Sequence, residues 1–102
     1  MFDVRLGPSA ERDMLDACTF YESQAAGLGL YFLDSLMADL RSLAIVGGVH
    51  AKPVAGFHRA LAKRFPFAIY YDFDGEVVSV AAILDCRRDP RSIVRRLVPT
   101  AE

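Results

Sequence analysis

The hydrophobic period of this chain switches from helical to strand-like near its middle, and that switch most constrains its fold. Between Pro8 and about Ile45 apolar residues recur at spacings of three and four, the period of an amphipathic helix. From Phe57 onward they recur at every second position, the period of a strand. The stretch between, residues 47–56, holds Gly47, Gly48, Pro53 and Gly56 and reads as a loop. A run of helices followed by a run of strands implies an α+β domain with its helices on one face of a small sheet.

The elements can be placed more closely. Phe2, Val4 and Leu6 alternate with Asp3 and Arg5, which predicts a short strand before Gly7 and Pro8 stop it. A first helix runs from Pro8 to about Ala25. Ala10, Met14, Ala17, Cys18 and Tyr21 form its apolar stripe, and Glu11, Arg12, Asp16, Glu22 and Ser23 face water. Gly27-Leu28-Gly29 interrupts, and a second helix follows over about Leu30–Ile45. Its stripe is Phe32, Leu33, Leu36, Leu40 and Leu43, with Asp34, Asp39 and Arg41 outside. The short connector makes the two an antiparallel hairpin. Strands are expected at about 57–64, 66–73 and 76–85. Asp74-Gly75 marks a hairpin whose two turn positions both need positive φ. The last strand, from Glu76 to Asp85, is apolar on both faces, so it should be central and covered twice. One cover is the helical hairpin; the other must be the C-terminal segment or another chain. Asp89 and Pro90 suit the cap and first position of a helix reaching about Val98. Such a helix would expose Arg91, Arg95 and Arg96 and turn Ile93, Val94 and Leu97 inward. The expected order is β-α-α-β-β-β-α, a helical hairpin on a mainly antiparallel sheet, forming one domain over residues 1–102.

A chain of 102 residues that is 53% hydrophobic can bury a core of its own. No apolar run approaches the roughly 20 residues that span a bilayer, and no signal-peptide stretch opens the chain. A cytoplasmic protein is expected. Cys18 and Cys86 stand far apart and read as reduced thiols. His50 and His58 lack ligand spacing to either and read as loop or strand histidines, so no metal site is expected. Phosphate-loop, dinucleotide and zinc-protease motifs are absent, and no cofactor is expected. Asp13 and Asp16 lie on a helix surface and read as solvated. Ser9 and Ser79 have no evident histidine partner.

Charge is uneven. Residues 1–50 carry three basic and seven acidic side chains, giving −4; residues 51–102 carry nine and six, giving +3. The cations gather at Arg59, Lys63 and Arg64, on or beside one strand, and at Arg87 and Arg88, at the end of another. In a small antiparallel sheet these can converge on one rim able to grip phosphates or carboxylates. The alternative is a solvated edge whose charges discourage sheet-to-sheet association. Arg91, Arg95 and Arg96 are weaker candidates for contacts to a partner or a phosphate.

The run Gly56 to Tyr71 (GFHRALAKRFPFAIYY), the hairpin after it, and Val80 to Pro90 (VAAILDCRRDP) resemble the RelE/ParE toxin superfamily of bacterial type II toxin–antitoxin systems. The helix opening Gly7 to Asp13 matches the usual start of these toxins, and the resemblance spans about residues 2–96. It implies a cytoplasmic toxin held in a hetero-oligomer by a cognate antitoxin, acting either on DNA gyrase, as ParE-like members do, or as a ribosome-dependent mRNA endonuclease, as RelE-like members do. The nuclease pattern fits less well. Ala68 stands where RelE-like toxins carry an arginine, Asp85 where many relatives carry histidine, and no tyrosine or histidine follows Tyr71. Lys63 and Arg87 or Arg88 alone match the nuclease cations, and cleavage also needs a base for the 2′-hydroxyl and an acid for the leaving oxygen. The ParE-like reading leads and no catalytic residue is assigned. A degenerate relative that binds without toxicity is a third expectation.

Overall fold

The computed structural model describes residues 1–98; the last four residues of the expected domain lie outside them. The order is β1 (Asp3–Leu6), α1 (Pro8–Gln24), α2 (Leu28–Val46), β2 (His58–Leu61), β3 (Phe67–Phe73), β4 (Val77–Asp85) and α3 (Pro90–Leu97), as expected. The four strands form one sheet in the order β1-β4-β3-β2. β1 runs parallel to β4, and the other two pairings are antiparallel.

β4 is interior to the sheet and apolar on both faces, and each face has its cover. Val78, Val80 and Ile83 join Phe32, Leu36, Leu40 and Leu43 of α2 and Ala10 and Ala17 of α1 in one cluster. Ala82 and Leu84 join Ala68 and Tyr70 of β3 with Ile93 and Leu97 of α3 in another. The second cover is therefore the C-terminal helix. Period-2 alternation alone cannot send Val80 and Ile83 to the same face. The register between β3 and β4 shifts here: Tyr71 pairs with Val80 but Tyr70 pairs with Ala82. Ala81 is the extra residue of a β-bulge, and it reverses which β4 side chains face the hairpin.

The hairpin is tightly joined. An added Cβ on Gly29 would lie 2.7 Å from the Cys18 carbonyl oxygen, so α2 approaches α1 closely only because glycine stands there. Glu22, expected merely to face water, accepts hydrogen bonds from the Gly27 and Gly29 N–H groups at 3.0 Å. Those bonds, Gly27 first, hold its carboxyl below the usual range. They also extend α2 back to Leu28, two residues before its expected start.

Four expectations need correction. Asp39 is buried, 8% exposed, because its carboxylate accepts the Lys63 N–H at 3.3 Å and closes the 62–66 loop onto α2. Val94 is 44% exposed: α3 turns Ile93 and Leu97, and not Val94, into the core. Asp13, expected to be solvated, is nearly buried: its two oxygens meet the Arg96 guanidinium at 2.9 Å, a pair that straps α3 to α1 while Arg96 itself stays exposed. In the β3–β4 hairpin only Gly75 has positive φ. The Asp74 carboxylate accepts the Glu76 and Val77 N–H groups and closes the turn by side chain instead.

Arg96→Ala leaves the nearly buried Asp13 carboxylate without its counter-ion. It should lower stability by about 1–3 kcal/mol in urea unfolding, and Lys at this position should restore only part because it lacks the two-pronged geometry. Burial raises the Asp39 pKa above the ordinary 3.8, against the lowering influence of the Lys63 N–H. A carboxyl whose folded pKa exceeds its unfolded one destabilises the fold when ionised, and acidification through the folded pKa removes that cost. Asp39→Asn, which keeps an acceptor for Lys63, should be at least as stable as the parent at neutral pH. The difference should shrink as pH falls towards 4.

Candidate functional site

The strand register brings most of the expected rim to one end of the sheet. Leu61 pairs with Ala68, and Phe67 pairs with Asp85. The loop after Leu61 carries Lys63 and Arg64, and the turn after Asp85 carries Arg87 and Arg88. Arg59 sits two residues inward on β2, opposite Tyr70.

Their cationic groups do not converge on one point. Arg64 turns to the helical side, donating to the Tyr31 hydroxyl at 2.9 Å with its guanidinium carbon 5.9 Å above that ring's centre. Lys63 stands beside Asp39, to which it donates its backbone N–H. Arg87 folds back on Asp85 through Nε at 3.0 Å and Nη2 at 2.6 Å. This contact holds the Asp85 carboxyl below its usual range. A carboxylate so held is a weak proton acceptor at neutral pH, which argues against acid–base work at the end of β4. Arg59 and Arg88 do come together. Both line a 260 Å³ cleft between β2 and α3, floored by Val54, Ile93 and Tyr70 with Cys86 at its side. Arg59 donates Nε–H to the Tyr70 hydroxyl at 3.2 Å. Arg88 also borders a second cleft of 290 Å³ on the α1 side, with Arg87, Asp16, Phe20 and Phe67. Lys63 and Arg64 line neither.

The weaker candidates divide likewise. Arg91 pairs with the cap residue Asp89 at 3.1 Å, Arg95 flanks a shallow depression with Arg91 and Val94, and Arg96 is committed to Asp13.

Two arrangements escaped sequence reasoning. Tyr70 reads as a core residue of an aromatic strand and is 1% exposed, yet it lines the cleft and its hydroxyl accepts the Arg59 Nε–H. Only the β2–β3 register, which puts Arg59 opposite Tyr70, reveals it. On the opposite face of the sheet, His58 stacks on Tyr71 with centroids 4.9 Å apart. Tyr71 donates its hydroxyl to the Gly47 carbonyl at 2.7 Å and is therefore the acceptor for His50 Nδ1, also at 2.7 Å. His58 Nδ1 donates to the His50 carbonyl at 2.6 Å. Burial pushes the Tyr71 phenol up from its usual pKa. These histidines tie the 47–57 loop to β3 and lie on the face of the sheet opposite the one that carries Arg59.

Cys18 donates its thiol to the Gly29 carbonyl at 3.4 Å, and both cysteines are free. Among the described residues no three His, Cys, Asp or Glu side chains cluster as metal ligands would, and no helix is long and apolar enough to cross a membrane.

No protein-family model matches the chain, and no curated protein matches it. Among solved structures, a chain from the chromosomal ParDE TA system from P. aeruginosa is similar, with a TM-score of 0.66 and 19% sequence identity. The match covers 81% of this chain and 94% of that one. At that identity the likeness shows a shared fold, the fold that the sequence resemblance implied.

Tyr71→Phe removes the donor to Gly47 and the acceptor for His50 together. It should cost about 1–3 kcal/mol in chemical unfolding, because buried polar partners are left unmatched. Arg64→Ala removes an exposed contact and should change stability by under about 1 kcal/mol.

Proposed function

We propose that this chain is the toxin of a type II toxin–antitoxin pair and acts in the ParE manner, by gripping DNA gyrase rather than by cutting RNA. The observation that carries the proposal is the likeness of nearly the whole fold to a chain of a ParDE system. Arg59 and Arg88 would form the heart of the target-binding surface, flanked by Lys63, Arg64 and Arg87 at the same end of the sheet, with Arg91 and Arg95 as outlying contacts. Guanidinium groups that share a cleft with apolar side chains suit a protein partner, because carboxylates are gripped by the arginines while aliphatic residues desolvate the contact. The partners are a cognate antitoxin and gyrase, in the cytoplasm, with no cofactor taking part.

What the cationic end contains supports this mode of action. Phosphodiester cleavage by a 2′-hydroxyl needs a base and an acid placed on opposite sides of the phosphorus. Here Asp85 is neutralised by Arg87, and His58, the neighbour of Arg59 in β2, lies on the opposite face of the sheet, stacked on Tyr71. Arginines alone stabilise charge but do not shuttle protons at neutral pH. One feature favours the RelE-like alternative: Tyr70 lines the same cleft as Arg59 and Arg88, and its hydroxyl accepts the Arg59 Nε–H.

Regulated expression with and without the neighbouring reading frame tests the proposal, with DNA replication and translation scored separately. Expected are filamentation and arrested replication, relieved by the neighbour, with the transcript pool intact. Tyr70→Phe should keep full toxicity. Codon-biased cuts in primer extension that vanish in Tyr70→Phe would establish the nuclease instead, and growth indifferent to expression would mark a non-toxic binding relative.

A further inference from the structure

β1 has four residues and β4 has nine, so β1 accompanies only the first half of its neighbour. Asp3 N–H donates to the Glu76 carbonyl and Gly7 N–H to the Val80 carbonyl, so even-numbered residues of β4 face β1. Then the chain leaves the sheet at Gly7 to begin α1. Past the bulge at Ala81 the alternation is reversed. Cys86 N–H donates to Pro66, on the β3 side, while Ile83 N–H points the other way and is taken by the Asp13 carboxylate at 3.0 Å. Asp13 thus stands in for the strand that is missing. By the same alternation the Ile83 carbonyl and the Asp85 N–H point into the empty lane, and neither has a partner there among the described residues.

A carbonyl at one position and an N–H two residues later are the two groups that a single residue of a parallel strand engages. The lane opens into the 290 Å³ cleft beside α1, whose apolar lining is Ala17, Phe20, Phe67 and Ile83. Phe20 is 56% exposed there. At its far end stands Arg88, which makes no ion pair among the described residues, while Arg87 has already neutralised Asp85.

We infer that this lane is a binding site for the free C-terminus of another polypeptide, which adds to the sheet as a short parallel strand. The penultimate residue lies opposite Leu84, donates its N–H to the Ile83 carbonyl and accepts the Asp85 N–H. The last residue presents an apolar side chain to Phe20 and Phe67, and its carboxylate meets Arg88. A parallel direction is required because only then does the carboxylate end reach the arginine. Asp16, on the α1 wall, favours a basic residue two places before the end. The site is separate from the Arg59 cleft, although both share Arg88.

The test is an amide-resolved NMR titration of the nitrogen-labelled chain with acetyl-Lys-Val-Phe bearing a free carboxylate. Expected is weak saturable binding that shifts the Asp85 amide most. Two controls read the two halves of the site: the same peptide N-methylated at Val, which cannot donate to Ile83, and its C-terminal amide. Each should bind roughly fivefold or more weakly. Phe20→Ser, at an exposed position, should weaken binding without unfolding the chain, as its unchanged spectrum would verify. Equal binding of the N-methylated peptide, or an unmoved Asp85 amide at saturation, would overturn the inference.

Discussion

The extra residue at Ala81 decides how both faces of β4 are used. Before it, Val78 and Val80 pack under the helical hairpin; after it, Ile83 does, while Ala82 and Leu84 pass to α3. Without that slip Ile83 would meet α3 and Leu84 the hairpin, and neither core would close, since a one-residue shift sends every side chain to the opposite face. The bulge also turns the Ile83 N–H outward, where Asp13 accepts it. Asp13 in turn holds Arg96, so one irregularity in a strand fixes the position of the C-terminal helix. Burial on both faces makes β4 the strand that the remainder of the fold is assembled around.

The electrostatics of the molecule divide its cations into two groups. Arg87, Arg91 and Arg96 are matched by Asp85, Asp89 and Asp13. The pairs of Arg87 and Arg91 are exposed and contribute little stability, whereas Arg96 meets a nearly buried carboxylate; all three pairs orient their side chains. Arg59 and Arg88 make no ion pair among the described residues. That residue pair lies over an apolar floor and beside a turn fixed by the Asp89 cap.

Much of this was legible in the sequence. Changes of hydrophobic period located the elements, although β2 spans only His58–Leu61 of the expected 57–64; the two-faced apolar strand demanded two covers, and Asp89-Pro90 marked the start of α3. What escaped depended on contacts between residues distant in the chain. Asp39 has the spacing of a surface residue, and only the return of the 62–66 loop buries it. Arg96 lies eighty-three positions from Asp13, so no local pattern announces their contact. Asp74-Gly75 marked its turn correctly, but side-chain closure by Asp74 replaced the second left-handed residue. The basic rim was visible as a cluster in sequence. Its division into engaged and available arginines was not, because that depends on which carboxylate each guanidinium meets. Tyr70 could not be separated from core aromatics without the β2–β3 register.

The claim on which the functional account rests is that the cationic end of the sheet binds a protein target. A supercoiling assay with purified gyrase and purified chain tests it most directly. Dose-dependent inhibition is expected, lost when Arg59 and Arg88 are both replaced by alanine in a variant that stays folded. Unimpaired supercoiling at saturating chain, alongside cleavage of mRNA on purified ribosomes by the same preparation, would contradict it.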